Sequence, residues 1–210
     1  MDGLLIDSEP LWSEAADETF LPYGFRLTPA QYASTTGMRT REFVASWFHH
    51  FNIDNSQLAI AEKAILSSVV TKVTTKGKPM QGVAHIFNFF IEKKFKIGLA
   101  TSSGHDLIDV VIDQLGIRKY LQAISSAADL PYGKPHPQVY LDCAILLNSH
   151  PTECVCFEDS FNGMIAAKAA RMKCVVVPSF ADSRLAKFNA ADLKLSSLQN
   201  FNELLLNTLQ

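Results

Sequence analysis

The chain has 210 residues, 48% of them hydrophobic, and its 19 Lys and Arg against 21 Asp and Glu leave a formal net charge of −2. That length accommodates one sizeable core plus an accessory subdomain, and the scattered, nearly balanced charges exclude a nucleic-acid track and a disordered charged tail. No basic segment followed by an apolar stretch opens the chain, and apolar runs such as CVVVP at 174–178 are far short of a membrane span; no membrane association is expected, and the cytoplasm is the expected compartment.

In chain order, MDGLLIDSEP reads as the tail of a loop whose first half lies ahead of Met1. From about 12 to 75 the pattern is almost wholly helical. TREFVASWFHHF puts Phe43, Trp47, Phe48 and Phe51 on one face, and QLAIAEKAILSSVVTKV repeats apolar positions at three and four. From about 76 the texture changes. Pro79 and Gly82 open the helix VAHIFNFFIEKK, and then FKIGLATSS, helix HDLIDVVIDQLG, AISSA, helix HPQVYLDCAILL, CVCFEDS, helix NGMIAAKAARM and CVVVP alternate strictly. Short apolar runs at 95–100, 123–126, 154–158 and 174–177 are the expected buried strands. Such alternation predicts an α/β fold, a doubly wound parallel sheet with helices on both faces.

The cysteines, Cys143, Cys154, Cys156 and Cys174, have no C-x-x-C spacing and read as free thiols, three of them in apolar runs. His49 and His50 are adjacent and diverge on a helix, and the other histidines are dispersed, so no histidine metal cluster is expected.

In an open parallel sheet, binding and catalytic groups lie just beyond the C-terminal strand ends. At those ends stand Thr101-Ser102, Glu158-Asp159-Ser160 and, a few residues past the 123–126 run, Gly133-Lys134-Pro135. Together they suit a phosphoryl group held beside a divalent metal. Lys134 supplies a point charge, Thr101 and the backbone N–H groups after it can cradle phosphate oxygens, and Glu158 with Asp159 offers hard oxygen ligands for Mg²⁺. Asn162 and Gly163 read as local turn and helix-packing residues.

The set Met1-Asp2-Gly3, Ala100-Thr101-Ser102, Lys134-Pro135 and Glu158-Asp159-Ser160 resembles the four signature motifs of the haloacid dehalogenase superfamily, in its phosphatase and phosphomutase branch, over nearly the whole chain. Within it, DGLLIDSEPLW, LPYGKPHPQVYLDCA and EDSFNGMIAAKAARM resemble the bacterial hexitol phosphatases, also described as 2-deoxyglucose-6-phosphate phosphatases. The resemblance implies a Rossmann-like core made of residues 1–11 and 76–210, with a helical cap, residues 12–75, inserted after the first motif. It also implies a monomer acting on a small phosphorylated sugar or sugar alcohol. By the same resemblance Asp2 and Lys134 are catalytic, Thr101, Ser102 and Lys134 bind phosphate, and Asp2, Glu158 and Asp159 hold Mg²⁺. Specificity is expected in the cap around Gly37, Met38 and Arg39, with Arg39 read either as a surface arginine or as a cap residue reaching the sugar phosphate.

In the family the first motif is D-x-D-G. Its first Asp attacks phosphorus to form an aspartyl-phosphate, and its second is general acid for the leaving alcohol and then base for water. Asp2 fills the second place and Met1 the x, so the nucleophile falls one residue ahead of Met1 and the first core strand is expected to be missing. Its neighbouring strands are then left with unpaired backbone groups. A truncated start is favoured over a pseudoenzyme, because Asp2, Thr101, Lys134, Glu158 and Asp159 are all kept. The expected function is a Mg²⁺-dependent phosphatase, with two alternatives: an isomerase like β-phosphoglucomutase, or a non-catalytic phosphosugar-binding protein. Trp12 stands where the mutases carry a cap-linker His, which favours hydrolysis; a dehalogenase would leave Asp2 and the metal carboxylates without a task.

Overall fold

The computed structural model describes residues 1–209. The segment read as helical resolves into four helices: α1 (Glu9–Phe20), α2 (Pro29–Thr35), α3 (Thr40–His50) and α4 (Leu58–Lys76). Each start has a local cause. Pro29 sits in the first turn of α2 behind Thr28, whose hydroxyl accepts the Gln31 N–H while the Gln31 side chain accepts the Thr28 N–H. Along α4, Ala61, Ile65, Val69 and Val73 recur every fourth residue and are buried, a stripe that packs on α1 and α3. On its exposed flank Lys72 bridges Glu14 and Glu18 of α1. Phe20 centres the interior of this helical unit, 4.7 Å from Phe25, 5.6 Å from Phe43 and 6.1 Å from Phe48 between ring centroids.

The second part alternates as expected: α5 (Val83–Glu92), β1 (Gly98–Thr101), α6 (His105–Gln114), β2 (Ala123–Ser126), α7 (Gln138–Leu146), β3 (Val155–Glu158), α8 (Phe161–Ala169), β4 (Lys173–Val176), β5 (Leu193–Lys194) and α9 (Glu203–Asn207). All strand pairs are parallel. Gly98–Thr101 lies beside Ala123–Ser126, Val155–Glu158 beside Lys173–Val176, and Val175 opposite Leu193. The first strand begins three residues later than its apolar run, because Lys94 turns the backbone at φ 59 and Ile97 donates its N–H to the Gln122 side chain.

The strands form two sheets, β1-β2 and β3-β4-β5. No strand among the described residues pairs with the facing edges of β1 and β3. Between those edges lies a largely apolar cavity of about 500 Å³, bounded by Met1, Leu4, Leu5, Leu99, Val155 and Phe157. The opening residues 2–6 make a tight turn across one end of it, with the Leu5 N–H donating to the Met1 carbonyl at 2.7 Å and Ile6 bridging Pro79. All four cysteines are free thiols, and Cys143, Cys156 and Cys174 are buried. No helix among the described residues is long and apolar enough to cross a membrane.

Candidate active site

The C-terminal ends of β1 and β3 and the opening turn converge on a small cavity of about 80 Å³ under the α1–α3 helices. Asp2, Thr101, Ser102, Lys134, Glu158 and Asp159 all line it. Asp2 is held by three donors: Ser8 Oγ at 2.7 Å and Trp12 Nε1 at 2.9 Å on Oδ1, and Ser103 Oγ at 2.7 Å on Oδ2. Ser8 and Trp12 lie on successive turns of one helix start, so a single local element fixes one carboxylate oxygen. Thr101 is buried at the end of β1, its hydroxyl accepting the Ser103 N–H at 3.2 Å. A Cβ at Gly3 would lie 2.3 Å from Asp159 Oδ2, so only glycine lets the opening turn approach the Asp159 carboxylate.

Lys134 is 5% exposed and donates to Glu158 Oε1 at 2.5 Å and to the Ala100 carbonyl at 3.4 Å. Tyr140 also donates to Glu158 Oε1, while Oε2 accepts from the Asp159 N–H, the Ser160 N–H and Ser160 Oγ. Both Glu158 oxygens are thus engaged by the protein. Where the sequence reading made Glu158 a metal ligand, the structure gives it to Lys134 and Tyr140. Burial alone would raise the Glu158 carboxyl, but the Lys134 charge beside it holds it well below the usual carboxylate range.

Asp159 behaves oppositely. Burial and then the Glu158 charge push its carboxyl up to about 7, and among the described residues no other one donates a hydrogen bond to it. Burial, then Asp159 and Asp2, likewise push Glu9 up to about 8. Crowded carboxylates of this kind favour protons or a cation. Among the described residues no three His, Cys, Asp or Glu side chains are arranged to hold a metal alone. Magnesium asks for less: it binds through one or two carboxylates and completes its octahedron with water and substrate phosphate. Asp159 beside Asp2 fits that demand.

Arg39 does not line the cavity. Its guanidinium donates to the carbonyls of Leu130 at 2.5 Å, Ala127 at 3.3 Å and Pro131 at 3.2 Å, and pairs with Glu42 at 2.5 Å. Glu42 in turn accepts the Gly133 N–H at 3.3 Å. The sequence reading left Arg39 between a surface arginine and a residue reaching the sugar phosphate; the structure ties it to the loop that carries Lys134. The same turn docks twice more, through Ser102 Oγ donating to the Gly37 carbonyl at 2.9 Å and Asn162 Nδ2 donating to the Thr36 carbonyl at 3.1 Å. Asn162, read as a turn residue, therefore has a long-range partner. Sequence reasoning also passed over Ser8, Ser103, Tyr140, Glu9 and Tyr32. Glu9 stands inside the stretch that carried the first motif, a signal that polarity amid a motif provides.

Residues 1–177 match the family model described as haloacid dehalogenase-like hydrolase. The chain is 37% identical over 199 residues to hexitol phosphatase B of Escherichia coli K12, spanning 94% of this chain and 90% of that protein. Among solved structures, CbbY from Rhodobacter sphaeroides in complex with xylulose-(1,5)bisphosphate superposes with a TM-score of 0.87 at 24% identity, covering 100% of this chain and 96% of that one. β-Phosphoglucomutase from Clostridium difficile superposes with a TM-score of 0.86 at 20% identity, covering 99% and 93%.

Proposed function

The chain belongs to the haloacid dehalogenase-like hydrolases, and from that premise we propose that it is a sugar-phosphate phosphatase whose preferred substrates are hexitol or 2-deoxyhexose phosphates and whose cofactor is Mg²⁺. One observation carries the reading: Asp2, Thr101, Lys134 and Asp159, from four separate chain segments, line one cavity. The similarity to a hexitol phosphatase over 94% of the chain supports the substrate class.

In this reading Thr101, Ser102 and the N–H groups after them receive the phosphoryl oxygens, and Lys134 balances their charge. Asp2, oriented by Ser8, Trp12 and Ser103, gives a proton to the departing alcohol and later takes one from the attacking water. Asp159 and the Asp2 backbone carbonyl would hold Mg²⁺, which would supply charge stabilisation for the phosphoryl group. The family chemistry calls for an aspartate nucleophile, and the apolar cavity between the facing edges of β1 and β3 is where an apolar strand carrying one would fit. Asp159→Asn should raise the Mg²⁺ requirement.

The test adds an apolar strand ending in Asp ahead of Met1 and measures inorganic phosphate released from sorbitol 6-phosphate. A gain on the order of 10⁴ or more over the 210-residue chain is expected, the scale on which loss of a covalent nucleophile acts. In the extended protein Asp2→Asn should impair sorbitol 6-phosphate far more than p-nitrophenyl phosphate, whose leaving group needs no proton. Ordinary turnover by the unextended chain would sink the D-x-D assignment, an equal Asp2 defect on both substrates would sink the general acid, and an isomerised sugar phosphate in place of released phosphate would make it a mutase.

A further inference from the structure

The cavity has two halves of different chemistry. On the core side are the groups assigned to the phosphoryl oxygens. The leaving group must therefore face the helical side, where the polar lining residues are Glu9, Trp12, Tyr32, Thr35, Thr36 and Thr40. Several of these are already engaged. Trp12 Nε1 donates to Asp2, Thr35 Oγ1 donates to the Tyr32 carbonyl at 3.1 Å and accepts from Trp47 Nε1 at 3.2 Å, and Thr36 Oγ1 donates to the Tyr32 carbonyl at 3.4 Å.

The Glu9 carboxyl and the Tyr32 hydroxyl have no hydrogen-bond partner among the described residues, although burial and neighbouring carboxylates govern both. Glu9 opens α1 and Tyr32 lies on α2, so two separate elements bring them to one wall. Both residues are half-buried in the cavity wall, so their polar atoms are available to a ligand that enters it. Charge adds a second constraint. Among the described lining side chains Lys134 is the only basic one, and it lies on the core side against Glu158. Arg39, the basic residue of the nearby turn, is bound to core carbonyls. A second anionic group on the substrate would meet Glu9 with no side-chain cation opposite.

We infer that Glu9, seconded by Tyr32, selects the leaving group, receiving hydroxyls of a neutral polyol monophosphate and rejecting leaving groups that carry a second phosphate or a carboxylate. In either protonation state a carboxyl oxygen accepts from a sugar hydroxyl, and Tyr32 both donates and accepts. A site built to bond hydroxyls discriminates against a substrate lacking them, because its polar groups then forgo those bonds. The inference rests on the phosphatase reading.

Binding to the 210-residue chain in Mg²⁺-containing buffer, measured by calorimetry, tests it without turnover. The probes are inorganic phosphate, phenyl phosphate, sorbitol 6-phosphate and fructose 1,6-bisphosphate. Sorbitol 6-phosphate should bind at least about tenfold tighter than phenyl phosphate or the bisphosphate, the scale of one to two hydrogen bonds. Glu9→Ala should lose about tenfold for sorbitol 6-phosphate alone. Glu9→Gln, which keeps hydrogen-bonding capacity and checks that the fold survives, should stay within about threefold on the polyol and gain affinity for the bisphosphate. Tyr32→Phe should weaken the polyol by about threefold. Equal weakening of phenyl phosphate and sorbitol 6-phosphate by Glu9→Ala would reduce Glu9 to a structural role and overturn the inference, as would a wild-type chain that takes the bisphosphate as tightly as the polyol. Either result leaves the phosphatase reading standing if inorganic phosphate binds; failure of inorganic phosphate to bind overturns both.

Discussion

Lys134 and Glu158 are each about nine-tenths or more buried, and their contact at 2.5 Å is the one ion pair among the described residues sealed on both sides. Desolvation offsets much of the attraction in such a pair, yet removing one partner strands the other charge. Lys134→Ala should therefore destabilise the fold by about 3–5 kcal/mol in urea unfolding, while Lys134→Met combined with Glu158→Gln recovers most of that loss. Glu9 makes the opposite kind of prediction. Its carboxyl rises from 4.5 in the unfolded chain to about 8 in the fold, so the folded state holds more protons between those values. Stability from this group is present below about pH 4.5, declines as pH rises and is fully lost above about 8. Glu9→Gln cannot ionise. In EDTA its melting temperature should match the parent near about pH 5 and exceed it increasingly towards about pH 8; a gap that does not vary with pH would assign the shift elsewhere.

The turn between α2 and α3 is the element on which the two halves of the molecule meet. It fits because Gly37, at φ +85, lies so close to β3's outlet that a Cβ would stand 2.5 Å from Ser160 Oγ and 2.9 Å from Ser160 Cβ. Gly24 provides a control, since it has nearly the same φ, +86, with nothing within 4 Å of its Cβ position. Gly24→Ala meets backbone strain alone, of order 1 kcal/mol. Gly37→Ala adds the clash and loosens the Ser102 and Asn162 bonds to the same turn. It should cost at least about 1 kcal/mol more than Gly24→Ala in urea unfolding, and it should speed proteolytic cleavage of residues 36–39, which Gly24→Ala should not.

Across the whole molecule, helices cover strands that form two sheets, and the apolar cavity of about 500 Å³ between them is bounded by edges that pair with nothing described. Exposed strand edges and apolar walls are the two things an added parallel strand satisfies together. An apolar strand fused ahead of Met1 should raise the melting temperature by several degrees, on the scale of about 2–4 °C per kcal/mol for a chain of this size. A fused segment of equal length with charged residues at the inward positions should give no gain. Equal effects of the two fusions would mean that the cavity does not receive the strand.

Local pattern alone determined much of this. The runs that became β1 to β4 are short, apolar and bounded by turn residues, so their position and their parallel order follow from alternation with helices, and the placement of Thr101, Lys134, Glu158 and Asp159 follows from where those strands stop. What each side chain does there was settled only in three dimensions. Local pattern leaves Arg39 between a surface arginine and a contact to the sugar phosphate, but its carbonyl partners lie 88 to 92 residues away and are met only because the α2–α3 turn rests on the loop before Lys134. Glu158 and Asp159 are neighbours in sequence and titrate in opposite directions, since one meets Lys134 and Tyr140 and the other does not. Glu9 reads as an ordinary acidic residue in a first helical turn, and its carboxyl is pushed up because it is taken out of water in the cavity wall and the opening turn brings Asp2 and Asp159 against it. Periodicity reports which face of an element turns inward; partners and protonation depend on desolvation and charges contributed by distant segments, and those are properties of the packed chain.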